Sequence, residues 1–142
     1  KWYCRREYYY SGRDKGRQKT DKEFSDDLTA WLSGEKVRAV ILDPAAASFK
    51  AQLEKDGYKV KKAKNDVLDG IRFVATLLLS GSIFVDKSCE NLIKEFASYI
   101  WDAKAAERGE DKPVKEHDHA LDALRYFCYT IIRRVGGIRI LK

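Results

Sequence analysis

A chain of 142 residues, 44% hydrophobic and 35% charged with a net charge of +6, is long enough to bury one core, and this composition excludes a disordered tail. Its longest apolar runs, such as residues 40–42 and 77–79, are far too short to cross a bilayer, and no signal-peptide apolar region opens it, so one soluble, non-exported domain over residues 1–142 is expected. Cys4, Cys89 and Cys128 are widely spaced with no Cys-x-x-Cys pair, which argues against a disulfide framework or zinc ribbon and for a reducing compartment. The chain holds no Met and begins directly in a strand-like run, as an excised fragment would.

Residues 2–10 are aromatic-rich and read as a strand, and 11–20, with Gly12 and Gly16, as a polar connection. Residues 1–22 hold eight Lys or Arg against Glu7, Asp14 and Asp21, which places +5 of the net charge here. Two readings stand open for this stretch. It could meet nucleic acid through phosphate contacts and counterion release, with Trp2, Tyr3, Tyr8, Tyr9 and Tyr10 beside it, or it is a solvated loop.

A helix is predicted over about 21–33, where Phe24, Leu28, Trp31 and Leu32 recur at helical spacing and Gly34 stands at the stop. Residues 37–42 form a β-branched strand ending at Asp43 and Pro44, followed by a helix over 45–56 that Gly57 closes and a strand over 58–62. Asp66 opens a third helix through Val67, Ile71, Val74 and Leu78, and Gly81 introduces a strand at 82–85. A helix over 88–97 points Leu92, Ile93 and Phe96 inward, residues 99–101 return as a short strand, and 104–115 are a loop. The last helix spans about 118–134 before Gly136 and Gly137, leaving 135–142 as a tail. Such alternation predicts an α/β domain around a mixed sheet, with the strand order open.

Three ionisable side chains stand out. Asp43 ends an apolar strand, the place where open α/β sheets gather ligands; the rival reading is a helix N-cap with proline in the first turn. His119 and Asp122, three apart on a predicted helix, would lie about 5–6 Å apart at Cβ on one face and could hold one ion. Against that, acidic residues near a helix start complement its dipole, a role that suits Asp118 better. From His119 to Ile132 the only groups expected to be charged or partly charged are His119, Asp122 and Arg125, so this helix reads as buried nearly all round. A buried carboxylate must be paired or bound to metal, which leaves a metal or catalytic role for Asp122 beside a structural pair with Arg125 or Arg72. His117 points away from that face and reads as a surface residue, and Cys128 joins Leu121, Leu124 and Ile131 on an apolar stripe.

Taken in order, ILDPAAASF, KKAKNDVLDGIRFVATLLLSGSIFV, ENLIKEFASYIWD and DKPVKEHDHALDALRY resemble the C-terminal half of phage terminase large subunits, over about residues 2–126. The resemblance implies a ribonuclease H-like fold and a nuclease whose acidic cluster, with a histidine in some branches, holds divalent metal and cuts double-stranded concatemeric DNA during genome packaging. Asp43 matches the acidic residue that ends that family's fourth strand, and His119 and Asp122 match the pair on its last helix. The implied cofactor is Mg²⁺ or Mn²⁺, as two ions about 3.5–4 Å apart, with a ligating histidine tilting the choice toward Mn²⁺. Lys59, Lys61, Lys62 and Lys64 could contact phosphates near the cut, although such a run also suits a solvated face.

By the same resemblance the partners are double-stranded DNA, the terminase small subunit, the portal and an ATPase domain of the same chain, in the cytoplasm of a bacterial host carrying the phage or prophage. One departure matters. That family opens with a strand bearing another catalytic aspartate and continues into a second strand, whereas this sequence starts at what resembles the third. No Gly-x-x-x-x-Gly-Lys-Ser/Thr phosphate loop occurs either. An N-terminally truncated ribonuclease H-like domain is therefore expected, with the strand at 37–42 lacking a neighbour and open to dimerisation or strand exchange. Two further readings stand beside the endonuclease: a catalytically silent DNA-binding or assembly fragment, and another ribonuclease H-like nuclease of the resolvase or transposase type.

Overall fold

The computed structural model describes residues 1–97 and 119–134. In chain order it contains β1 (Trp2–Cys4), α1 (Gly12–Lys15), α2 (Asp21–Leu32), β2 (Val40–Leu42), α3 (Ala47–Lys55), β3 (Val60–Lys62), α4 (Val67–Leu79) and β4 (Ile83–Val85). A helix α5 over 90–97, α6 (His119–Phe127) and a π-helical segment (Cys128–Ile132) complete it. The strand at 99–101, the loop at 104–115, His117, the Asp118 cap and the tail at 135–142 lie outside the described residues. Among the described residues no helix is long and apolar enough to cross a membrane.

The α/β alternation is as the sequence implies, but the strands are short. The aromatic run leaves β geometry after Cys4, and the connection after it contains the short helix α1. The described strands form two parallel pairs, β1 with β4 and β2 with β3. An open cleft of about 990 Å³ is lined from both pairs, by Cys4 and Ile83 on one side and Val40 and Ile41 on the other, with His119 and Ala123 of α6 also on its wall.

α2 starts at a reciprocal capping box, with the Thr20 hydroxyl accepting from the Glu23 N–H and the Glu23 carboxylate accepting from the Thr20 N–H. It ends at Ser33, held at φ 52°, with Gly34 following at φ 84°. The basic N-terminal segment folds back onto this helix. Arg17 meets Glu23 at 2.6 Å, Lys19 pairs with Asp27, and Arg6 reaches Glu35 at 3.1 Å while its guanidinium lies 4.4 Å over Trp31. Tyr8 donates to Asp27 at 2.6 Å, and the Tyr10 ring meets Phe24 edge-on at 5.7 Å. Much of its positive charge is matched by acids within the chain, and exposed pairs of this kind each contribute about 0–1 kcal/mol.

The core gathers Val74 and Leu77 of α4, Ile83 of β4, Cys89 and Leu92 of the α5 region, Leu121 and Leu124 of α6, and Cys128 and Ile132 of the π-helical segment. α4 turns a different face inward from the one expected. Gly70, Val74 and Leu77 are buried, whereas Val67 is 47% and Leu78 37% exposed. Around 90–97 the expectation also shifts, because Ile93 is 43% exposed and Glu95 only 4%. In the last helix the π turn adds a residue per turn, so Ile132 enters the core in place of the expected Ile131. Cys128 is fully buried, as expected. All three cysteines are free, and burial pushes the Cys4 and Cys128 thiols up to about 12. They stay protonated at neutral pH and behave as small apolar groups.

α6 packs against both α4 and β2. The approach to α4 requires Gly70, where a Cβ would stand 2.8 Å from Arg125 Cγ and 2.9 Å from Arg125 Cδ. Gly70→Ala would gain about 1 kcal/mol of helix propensity but lose typically 1–3 kcal/mol to overpacking. The variant should therefore be less stable by about 1 kcal/mol in urea unfolding, and a rise in midpoint would show that Arg125 is loosely held.

The strap on α2 carries a pH signature. Arg17, then the Thr20 amide, hold the Glu23 carboxyl down at about 2, and Lys19, then Tyr8, lower Asp27. A carboxylate lowered in the folded state contributes stability that is present above its unfolded value, roughly pH 4.3, and is lost as pH falls through the folded one. The difference in melting temperature between the unmutated chain and Glu23→Gln should thus be largest near about pH 6 and vanish toward about pH 2; a difference independent of pH would contradict this origin.

Candidate active site

Asp43 follows the last residue of β2, and the β2 and β3 strands end together because they run parallel, with the Ala63 N–H donating to the Leu42 carbonyl at 2.8 Å. Its Oδ1 accepts the Ala45 N–H at 2.9 Å, a side-chain turn that starts the loop around Pro44. α3 begins only at Ala47, with Ala46 in the capping position. The N-cap reading of Asp43 is thereby replaced by a turn, and its second oxygen is left to face α6.

That oxygen meets Tyr126, whose hydroxyl donates to Asp43 Oδ2 at 3.1 Å. Tyr126 lies four residues after Asp122 on α6 and so shares its face. Burial first, then the charge of Asp43 and its hydrogen bond, push the Tyr126 phenol above its ordinary value, and the charge of Asp122 adds to the shift. Both carboxylates therefore bear on one phenol. The sequence reading passed over Tyr126, although its helical spacing from Asp122 was available as a signal.

Asp122 is ion-paired. Arg125 Nη2 donates to Asp122 Oδ1 at 3.2 Å, its Nη1 donates to the Asp66 carbonyl at 3.3 Å, and its side chain is 6% exposed against 30% for Asp122. Of the two rivals named for a structural pair, Arg125 is the partner; Arg72 lies instead 3.9 Å from Asp69 on the surface. The last helix is not buried all round either, since His119 and Ala123 are exposed and line the cleft.

The start of α6 is fixed from another element. The buried Glu95 carboxylate accepts the Ala120 N–H at 2.9 Å and the Leu121 N–H at 3.0 Å, taking two helix-terminal donors that lack intrahelical partners. A capping carboxylate next to His119 was not foreseen, because its capping partner is far away in the chain. The chain just beyond β3 is tied to the π-helical segment that follows α6, through the Lys64 N–H donating to Thr130 Oγ1 at 2.9 Å.

The four candidate phosphate-contacting lysines do not form one stripe. Lys59, Lys62 and Lys64 are exposed and Lys61 is half-buried, and strand alternation sends Lys61 and Lys62 to opposite faces. Lys62 and Lys64 flank the strand end that carries Asp43.

Asp43 thus hydrogen-bonds Tyr126 and the charge of Asp122 also reaches that phenol, with His119 one turn from Asp122 on α6 and lining the cleft. Among the described residues no three His, Cys, Asp or Glu side chains stand close enough together to hold a metal ion. The donor set nevertheless fits a hard divalent cation, because carboxylate oxygens suit Mg²⁺ and Mn²⁺ and each of the two carboxylates has accepting capacity beyond its present hydrogen bonds.

Residues 5–129 match the family described as the terminase RNaseH-like domain. The chain belongs to this family. The large terminase subunit of Escherichia phage T5 is 32% identical over 131 residues, covering 89% of this chain and 30% of that protein. Two structures of the large terminase from a thermophilic bacteriophage, one in complex with ATP-gamma-S, are each similar at a TM-score of 0.80 and 53% identity, over 89% of this chain and 33% of theirs. The terminase domain described here spans about a third of the length of the large subunits that it matches. Asp43, His119, Asp122 and Tyr126 all fall within the matched stretch, and the resolvase or transposase alternative gives way to a terminase.

If Glu95 anchors α6, Glu95→Ala should cost about 0.5–2 kcal/mol, the usual range for a lost cap. The exchange protection of the Ala120 and Leu121 amides should fall with it, as read by hydrogen exchange; protected amides in the variant would refute the cap.

Proposed function

We propose that this terminase domain is a divalent-metal-dependent endonuclease that cuts double-stranded concatemeric phage DNA during genome packaging. Asp43, His119 and Asp122 are its metal-binding and catalytic residues. The observation that carries this reading is the convergence of Asp43, at the carboxyl end of a parallel strand, and Asp122, on a separate helix, around the Tyr126 phenol. Carboxylates drawn from separate elements toward one point are what divalent-metal phosphodiester chemistry uses.

When bound, Mg²⁺ or Mn²⁺ would stabilise charge on the phosphoryl oxygens and activate water for in-line attack. The chain's own residues then orient and bind. Asp43 is aimed by its turn, Asp122 is oriented by Arg125, and His119 adds an imidazole donor at the cleft side that favours Mn²⁺. Lys62 and Lys64 stand beside the end of β2, where they would contact the phosphates flanking the cut, with Lys59 and Lys61 further along the same strand region.

An ATPase domain of the same chain, the small subunit and the portal are the proposed partners of the whole terminase, acting in the cytoplasm of the bacterial host. The second reading, a DNA-binding or assembly fragment without cleavage, draws support from the lack of a three-ligand cluster among the described residues. Self-association through exposed strand edges is proposed alongside either reading.

Plasmid cleavage in Mn²⁺ by the complete nuclease domain tests the choice. Asp43→Ala should lower cleavage by about 100-fold or more. For Asp122 the substitution of choice is Asn, because Ala would leave the buried Arg125 without its partner and confound activity with stability. Undiminished cleavage in both variants would sink the endonuclease reading, and salt-sensitive DNA binding with no cleavage by the unmutated domain would favour the silent fragment.

A further inference from the structure

Four side chains form a continuous chain between β2 and α6. Asp43 Oδ2 accepts from the Tyr126 hydroxyl at 3.1 Å. The Tyr126 ring lies 4.9 Å from the Arg125 guanidinium, and that guanidinium donates to Asp122 Oδ1 at 3.2 Å. Arg125 itself cannot shift freely, since it is 5% exposed, is bound to the Asp66 carbonyl and has its stem pressed against Gly70. The phenol is therefore held by a fixed group on one side and itself holds a carboxylate on the other.

We propose that Tyr126 is a positioning residue for the metal site, its hydroxyl fixing the Asp43 carboxylate so that Asp43 and Asp122 are presented to the same ion. The proposal rests on the metal-dependent reading above and gives a role of its own to Tyr126, which that reading uses only as the place where the two carboxylates converge. Besides Tyr126, Asp43 is met among the described residues from within its own turn, by the Ala45 N–H at its carboxylate and the Ala46 N–H at its carbonyl at 3.0 Å, and Asp122 comes from a helix locked into the core. A loop carboxylate would sample several rotamers without a partner on the helix, and each lost orientation is a lost ligand. The phenol suits this task because an ordinary phenol titrates at about pH 10, well above neutrality. It stays a donor at neutral pH, and a neutral phenol orients a carboxylate without competing for the cation.

A hydrogen bond with a purely structural role would contribute modestly to the fold and nothing to metal binding. An outer donor that aims a ligating group changes metal affinity by about 10–100-fold. These two possibilities separate in Mn²⁺ titrations, by calorimetry or by the electron paramagnetic resonance signal of free Mn²⁺, on the complete terminase chain and its Tyr126→Phe, Asp43→Asn and doubly substituted variants. Tyr126→Phe should weaken Mn²⁺ binding by about 10–100-fold while leaving the melting temperature of the metal-free protein nearly unchanged. The double variant should bind no more weakly than Asp43→Asn alone, because the hydroxyl acts through that carboxylate.

Normal Mn²⁺ affinity in Tyr126→Phe, with affinity lost in Asp43→Asn, would overturn the positioning role and leave the metal site standing. Equal affinity in the unmutated chain and Asp43→Asn would remove Asp43 from the metal site, and the proposal with it. Should Tyr126→Phe also melt lower, the comparison of single and double variants still decides: additive losses refute the proposal and a non-additive loss supports it.

Discussion

The buried Arg125 guanidinium is the constraint around which the rest of the site is arranged. A desolvated cation must be met by acceptors, since leaving one unpaired costs several kcal/mol. Here the acceptors are the Asp122 carboxylate and the Asp66 carbonyl at the start of α4. Meeting both demands brings α6 close to α4, which is possible because Gly70 offers no Cβ in the way. Once Arg125 is fixed, the rotation of α6 is fixed, and Asp122 and Tyr126 must face β2. The partly exposed Asp122 carboxylate is thus at once half of an ion pair and a candidate ligand, and these two uses are compatible because only one of its oxygens is engaged by Arg125.

The second organising device is the capping of helices by distant carboxylates. Glu95 takes the first free amides of α6, and Glu7, just beyond β1, does the same for α5 through the Asn91 and Leu92 amides at 2.7 and 3.2 Å. A carboxylate at a helix N-terminus is favoured by hydrogen bonds and by the helix dipole together. Because each cap comes from a different element, it fixes position as well as satisfying amides. β1 thereby locates α5, α5 locates α6, and α6 carries the candidate site. The Trp2 ring, edge-on to Phe127 at 5.5 Å, ties the first and last of these elements directly.

Charge is distributed with a similar economy of partners. The basic segment after β1 is matched by Glu23, Asp27 and Glu35 of α2 and its exit, so its positive excess does not translate into a free nucleic-acid surface of equal strength. The exposed lysines beside the end of β2, by contrast, sit where the proposed chemistry would need phosphate contacts. A local charge count could not separate these two cases, since both are runs of Lys and Arg.

Much of the fold could be read from the sequence. Periodicity, glycine stops and the Asp-Pro step placed nearly every described element within a few residues, and the ordered blocks around Asp43 and HDHALDALRY pointed to the terminase family. Those features are local, or are carried by the order of blocks along the chain. What the tertiary structure decided is everything that depends on which side chain meets which across the molecule. It chose Arg125 over Arg72 as the partner of Asp122, turned Asp43 from a helix cap into a turn residue aimed at Tyr126, buried Glu95 in place of Ile93, and rotated α4 to put Gly70 under Arg125. None of these follows from spacing, because a helix pattern gives a face only to within a residue or so and says nothing of the groups opposite it. The residues of the candidate site were therefore legible as residue types at suggestive positions, and their convergence was not, since convergence is a property of packed elements and not of the chain.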